Sequence, residues 1–357
     1  MFIKTNAFFL LILAELSFAQ ESFHVSDEEL AQNKAYNQAL YAYLRHHSSP
    51  KIQLIGYSTF VADDEMDVQA IKKILDKAIN TSSDEQTLFL ADNLCHIEKN
   101  LENWCHKKQI HQVHQQVDPE NIMTYVNELH NEKNENIAIA WLDLVANQGT
   151  YSNSFLFELS LTLSKEIALF NEENPSFLFN QDKEETLSLV KELRLIEKGL
   201  LEQSFVENYH ESLSYMVSMG IMMAQPVSMR KFSKFCKNNE FYEQCHQIAE
   251  VLKTDKTFMG QMMADAISRK INGVTKPNRV GTKSYQMASC FSQSQDMLLG
   301  QALNLDFAKQ YLFDAIESGE GQATYNLAFK VYDTVRSHGF NPDFNPHDCE
   351  KKLKRIN

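Results

Sequence analysis

The chain has 357 residues, 43% of them hydrophobic and 23% charged, and its 34 Lys and Arg against 47 Asp and Glu give a formal net charge of −13. That length and composition allow a large core and exclude disorder as the default, and the acidic balance lacks the cationic footprint that neutralises phosphates, which excludes nucleic acid as a partner. Eleven Gly and seven Pro are few for the frequent turns of an all-β chain, so composition favours helices joined by short polar loops.

In chain order, Lys4 precedes the apolar run Ala7-Phe8-Phe9-Leu10-Leu11-Ile12-Leu13-Ala14, which closes on Ser17-Phe18-Ala19 before Gln20. A cationic head, a short apolar core and a small-x-small cleavage site read as a secretory signal peptide over residues 1–19. The run is shorter than the roughly 20 apolar residues of a membrane span, and Glu15 interrupts it. The expectation is a periplasmic or secreted chain without an integral membrane segment after cleavage.

From Ser26 the pattern is helical. Ser26-Asp27-Glu28-Glu29 reads as a capping box, and Leu30, Tyr36, Leu40, Tyr41 and Leu44 keep near one face to about Arg45. Ser49-Pro50 opens a second helix through Ile52, Leu54, Ile55 and Phe60, and Asp67 a third through Val68, Ile71, Ile74, Leu75 and Ala78. The acidic run Asp63-Asp64-Glu65-Met66-Asp67 lacks the alternating spacing of a calcium loop and suits the start of that third helix. Residues 84–96 continue the series. Asp118-Pro119-Glu120 is expected to start a helix through Ile122, Tyr125, Val126 and Leu129, and Asn134 one through Ile139, Trp141, Leu142 and Val145 that stops at Gly149. Apolar periodicity at 154–170, 183–205, 209–224, 228–238, 241–254 and 257–272 extends the helical series. The interval 268–283 holds Gly273, Pro277 and Gly281 and reads as a loop or junction. Helices resume at 284–299, 304–317 and 320–336, with an irregular tail after Gly339.

The segment Asp306-Phe307-Ala308-Lys309-Gln310-Tyr311-Leu312-Phe313-Asp314-Ala315-Ile316, with Gly319, Ala323-Thr324-Tyr325-Asn326-Leu327-Ala328 and Tyr332, resembles the tetratricopeptide (TPR) and Sel1-like repeats. In those repeats small residues let two antiparallel helices approach, and aromatics fill the space between hairpins. A weaker echo joins Asp118-Pro119-Glu120-Asn121 to Trp141-Leu142-Asp143-Leu144 and Gly149. The layout of signal peptide, paired cysteines and a Trp-Leu helix is also similar to that of secreted helical proteins of Gram-negative bacteria. The resemblance implies an all-α chain of antiparallel hairpins stacked as an irregular superhelix. A helical-hairpin domain would span 20–267, a basic loop 268–283, and TPR/Sel1-like hairpins with a tail 284–357.

Export gives the six cysteines an oxidising compartment. Cys95 and Cys105 have nine residues between them and Cys236 and Cys245 eight, so a helix, a turn and a second helix can bring each pair into bridging range. Cys290 and Cys349 then pair by elimination, although spacing alone leaves the connectivity open. A competing metal reading takes Cys95, His96, Cys105, His106, His111 and His114 together. Zinc sites favour closer Cys pairs, so the histidines are expected to be ordinary solvated side chains beside a disulfide. Methionines at 216, 219, 222, 223, 229, 259, 262 and 263 have the helical spacing of core filling.

No Gly-x-Ser-x-Gly elbow, His-Glu-x-x-His pair or phosphate-binding glycine loop occurs, and no cofactor is expected. Arg269, Lys270, Lys276, Arg279 and Lys283 crowd a stretch with no acidic residue from Ala266 to Gln295, and form the expected contact surface for an acidic partner. The resulting expectation is an exported, non-enzymatic helical-repeat module for a protein or peptide partner. The alternative is an envelope or extracellular enzyme, for example a polysaccharide hydrolase, with paired carboxylates in an interhelical cleft.

Overall fold

The structure is a computed structural model that describes residues 27–58, 67–125, 135–174, 191–201, 239–272, 283–294 and 304–354, with single positions between 211 and 236 and residues 296–297. Residues 1–26, and with them the expected signal peptide over 1–19, lie outside the described residues. Among those described there is no strand, only an isolated parallel bridge between Asn121 and Tyr151. No described helix is long and apolar enough to cross a membrane.

The helices are α1 (Asp27–Arg45), α2 (Pro50–Ser58), α3 (Val68–Thr81), α4 (Glu85–Ile97), α5 (Glu102–Lys108), α6 (Ile110–Val117), α7 (Glu135–Gln148) and α8 (Leu156–Glu173). The later ones are α9 (Tyr242–Lys253), α10 (Phe258–Ile271), α11 (Lys283–Phe291), α12 (Leu305–Ser318), α13 (Glu320–Ser337) and α14 (Pro346–Lys354). Their starts follow local chemistry. Asp67 accepts the Gln69 and Ala70 amides at 3.0 Å ahead of α3, Asp84 the Thr87 amide ahead of α4, and Asn304 the Phe307 amide ahead of α12. Each satisfies helix-start donors that have no partner within the helix. α3 then buries Ile71, Ile74, Leu75 and Ala78, the i, i+3, i+4, i+7 stripe of an amphipathic helix.

Two apolar clusters result. The first gathers α1 to α7 with α9, α10 and one face of α8, around Leu54, Ile55, Leu75, Leu90, Leu94, Leu142 and Ile248. The second gathers α11 to α13 around Phe291, Leu312, Ala323 and Val331, joined by Phe157 of α8 and Cys349 of α14. α8 serves both, with Leu156 half-buried against each. α9 and α10 form one closely packed hairpin and α12 and α13 another. In the second, the small side chains of Ala308, Ala315, Ala323 and Ala328 are buried, which lets the helices approach.

Three disulfides staple the chain: Cys95–Cys105 between α4 and α5, Cys236–Cys245 into α9, and Cys290–Cys349 between α11 and α14. Replacing Cys95 and Cys105 together by Ser is expected to cost about 2–3 kcal/mol, because the closed loop is short. Denaturant unfolding of the non-reduced variant checks this, with an unchanged helical circular dichroism spectrum.

Four expectations are corrected. Asp118 does not start a helix: it follows α6, and Asn121 takes the capping role by accepting the Met123 amide at 3.1 Å. Residues 193–201, read within a helix over 183–205, form turns with Arg194 at φ 53° and Gly199 at φ 70°. The predicted helix at 284–299 ends at Phe291. The tail expected to be irregular after Gly339 contains α14, held by Cys349 and by the Tyr325 hydroxyl donating to Glu350 at 2.9 Å.

Candidate functional site

Three buried polar groupings stand inside the molecule, two at turns between helices and one between helix faces. The first is built on the Asp-Pro-Glu-Asn sequence. Asn121, fully buried, donates to Asp118 and to the Asn153 carbonyl, both at 2.9 Å, and its oxygen accepts the Met123 and Asn153 amides. Tyr151 donates its hydroxyl to Asp118, and the Ile122 amide reaches the Tyr151 carbonyl at 2.9 Å. Burial and the adjacent Asp118 carboxylate push the Tyr151 phenol up, so it remains a donor. The loop before α8 is thereby fastened to the loop after α6.

The second grouping is His114 with Asp92. His114 is 0% exposed, its Nδ1 lies 3.3 Å from the Asp92 carboxylate, and the Phe89 ring meets it edge-on. His111 is also buried, and burial lowers its pKa. His111 and His114 are therefore not solvated as the sequence suggests, whereas His106 is exposed and His96 half-buried. Ile110, His111 and His114 share the face of α6 that packs on α4, and that spacing was the available signal. Cys95 and Cys105, which the metal reading would have used, are bonded to each other.

The third grouping lies where the α9–α10 and α12–α13 turns meet. Asp255 is 3% exposed; one oxygen accepts the Thr257 amide and hydroxyl, each at 2.7 Å, and the other accepts the Ser152 hydroxyl. Gly260 is required beside it, because a Cβ there would stand 2.2 Å from the Asp255 carboxyl carbon. Glu320 accepts the Phe258 amide at 2.7 Å. Both carboxyls accept hydrogen bonds at the start of α10 and hold turns. They come from turns far apart in the chain, so no local sequence pattern marks them as a pair.

On the surface, Met259 is 59% exposed and Met262 41%, one turn apart on α10, and Phe313 of α12 and Tyr242 of α9 are exposed as well. The two methionines depart from the core expectation, whereas Met222 is buried and Met219 and Met263 are half-buried. Met216, Met223 and Met229 lie outside the described residues. Of the basic set, Arg269 and Lys270 stand half-buried in the last turn of α10 instead of in a loop, and Lys283 opens α11. Lys276 and Arg279 lie outside the described residues.

Fold and site together define an all-α, disulfide-stapled chain in which two buried polar groupings hold interhelical turns. No protein-family model, curated protein or solved structure matches it.

Proposed function

We propose that this chain is an exported, non-enzymatic scaffold of TPR/Sel1-like helical hairpins that binds a protein or peptide partner. The supporting observation is the exposed pair Met259 and Met262. By helical spacing they share a face of α10 with Ala266 and Arg269, so the helix presents apolar side chains near its start and positive charge at its end. Flexible thioethers suit an adaptable apolar contact, and an Arg and Lys cluster on an acidic protein suits an acidic partner segment. The partner is therefore an acidic segment with apolar side chains. Three disulfides fit an oxidising compartment, periplasmic or extracellular.

A photo-crosslinking residue at Met262 is expected to yield one discrete adduct in the producing cell, and the same residue at exposed Asp333 of α13 none. Gln at Arg269, Lys270, Lys276, Arg279 and Lys283 should weaken that adduct and leave folding intact, with the largest loss at low salt. The same adducts from both positions, or none from Met262, would overturn the reading.

A further inference from the structure

The α12–α13 turn is clasped to the α9–α10 turn from both sides. Gly319, at φ 86°, ends α12 in a conformation that favours glycine, and a Cβ there would come within 3.3 Å of the Lys256 carbonyl. The adjoining Glu320 amide donates to that carbonyl at 2.7 Å, and the Lys256 ammonium donates to the carbonyl of Ile316 near the end of α12. In return the Glu320 carboxyl accepts the amide of Phe258, the first residue of α10, which has no acceptor inside its own helix. Asp255 and Thr257 hold the rest of that helix start, and Ser152 ties Asp255 to the loop before α8. The clasp thus links a hairpin of the first apolar cluster to a hairpin of the second.

We propose that this clasp is a proton-set joint, in which protonated Glu320 keeps the two hairpin turns together and its ionisation beside Asp255 loosens them. The charged groups facing Glu320 decide the direction. Asp255, from the α9–α10 turn, is a second carboxyl, buried close to half-buried Glu320, and already holds three donors where Glu320 holds one. Lys256, from that turn, directs its ammonium to Ile316, and Glu317 of α12 is exposed to solvent. α10 contributes the Phe258 amide and α13 the Thr324 hydroxyl, which donates to the Glu320 carbonyl at 2.7 Å.

Burial pushes the Glu320 carboxyl up to about 7, opposed by the Phe258 amide and reinforced by Asp255. Burial raises Asp255 too, opposed by Ser152 and Thr257. A carboxyl raised on folding binds its proton more tightly folded than unfolded. Its stabilisation is complete below the ordinary glutamate value of 4.5 and is lost as pH rises through about 7. Mild acid therefore tightens the joint and alkaline conditions relax it. This inference is independent of the partner reading.

The test compares the oxidised protein with Glu320→Gln, which keeps the shape and cannot ionise, and with Glu317→Gln as a surface control. Between pH 5 and 8 the folding constant of the wild type is expected to fall relative to Glu320→Gln on the order of a hundredfold, while Glu317→Gln follows the wild type. Hydrogen exchange of the Phe258 amide, corrected for its intrinsic rate, should lose protection over the same range in the wild type and not in Glu320→Gln. A ratio independent of pH would overturn the proposal. Should Glu320→Gln not fold, the carboxyl carbon of Glu320 titrated by NMR in the wild type decides instead: a midpoint near 7 supports the joint, and one in the ordinary glutamate range overturns it.

Discussion

Replacing Cys290 and Cys349 together by Ser is expected to lower stability by about 4 kcal/mol, more than the loss of either local disulfide. The two residues are 59 apart, so the bridge closes a much longer loop than either local disulfide and removes more freedom from the unfolded chain. The folded side loses an anchor as well. α14 is rich in Lys, Glu and Asp, and apart from buried Cys349 and Pro346 and half-buried Leu353 it has little apolar surface to dock. Among the described residues, Tyr325 also donates to Glu350, and His347 meets Phe329 and Tyr332 edge-on, all at or near the surface. Denaturant titration of the non-reduced variant measures the loss. Hydrogen exchange should show α14 unprotected while α9 and α10 keep their protection. A loss below about 1 kcal/mol would mean that the bridge constrains little in the unfolded chain.

Asn121→Ala is expected to cost about 3 kcal/mol, large for the removal of one small polar side chain. The buried amide makes four hydrogen bonds, to Asp118, Met123 and both backbone groups of Asn153. Truncation leaves those partners in a site where water does not replace them, so the loss includes their desolvation. Asn121→Asp sharpens the test. It preserves shape but turns a donor toward Asp118 into an acceptor, so its stability should fall further at neutral pH than at pH 4, where protonation restores a donor. Equal effects at both pH values would show that the Asp118 contact carries little of the energy.

α3 and α4 were legible with their caps, because Asp67 and Asp84 stand directly before apolar stripes of period near 3.6 and both signals are local. α12, Gly319 and α13 were legible for the same reason. The 193–201 segment was not. Its Leu195, Leu200 and Leu201 are buried, as their pattern requires, but a periodic apolar face specifies which side is covered and not that the backbone ladder is helical. α14 was missed for the opposite reason: a polar helix preceded by two Asn-Pro pairs carries almost no apolar stripe, and a covalent bond from α11 supplies what packing does not.

The candidate site was less legible than the fold. Arg269 and Lys270 were visible as a charge cluster, and the structure places them on a helix end. The methionines were visible as a group, but whether a helical Met faces a neighbour or solvent depends on which helices surround it. Met259 and Met262 fall on the uncovered side.

By itself the sequence determined the helical class, the principal helices and their caps, and the two local disulfides, all properties of residues close together in the chain. The tertiary structure alone decided that His114 is buried against Asp92, that Asn121 joins two distant loops, and that Glu320 meets Asp255 at one turn. Each of these joins residues at least 22 positions apart. The burial, charge and hydrogen bonding of such groups arise from neighbours that only the packed helices bring together.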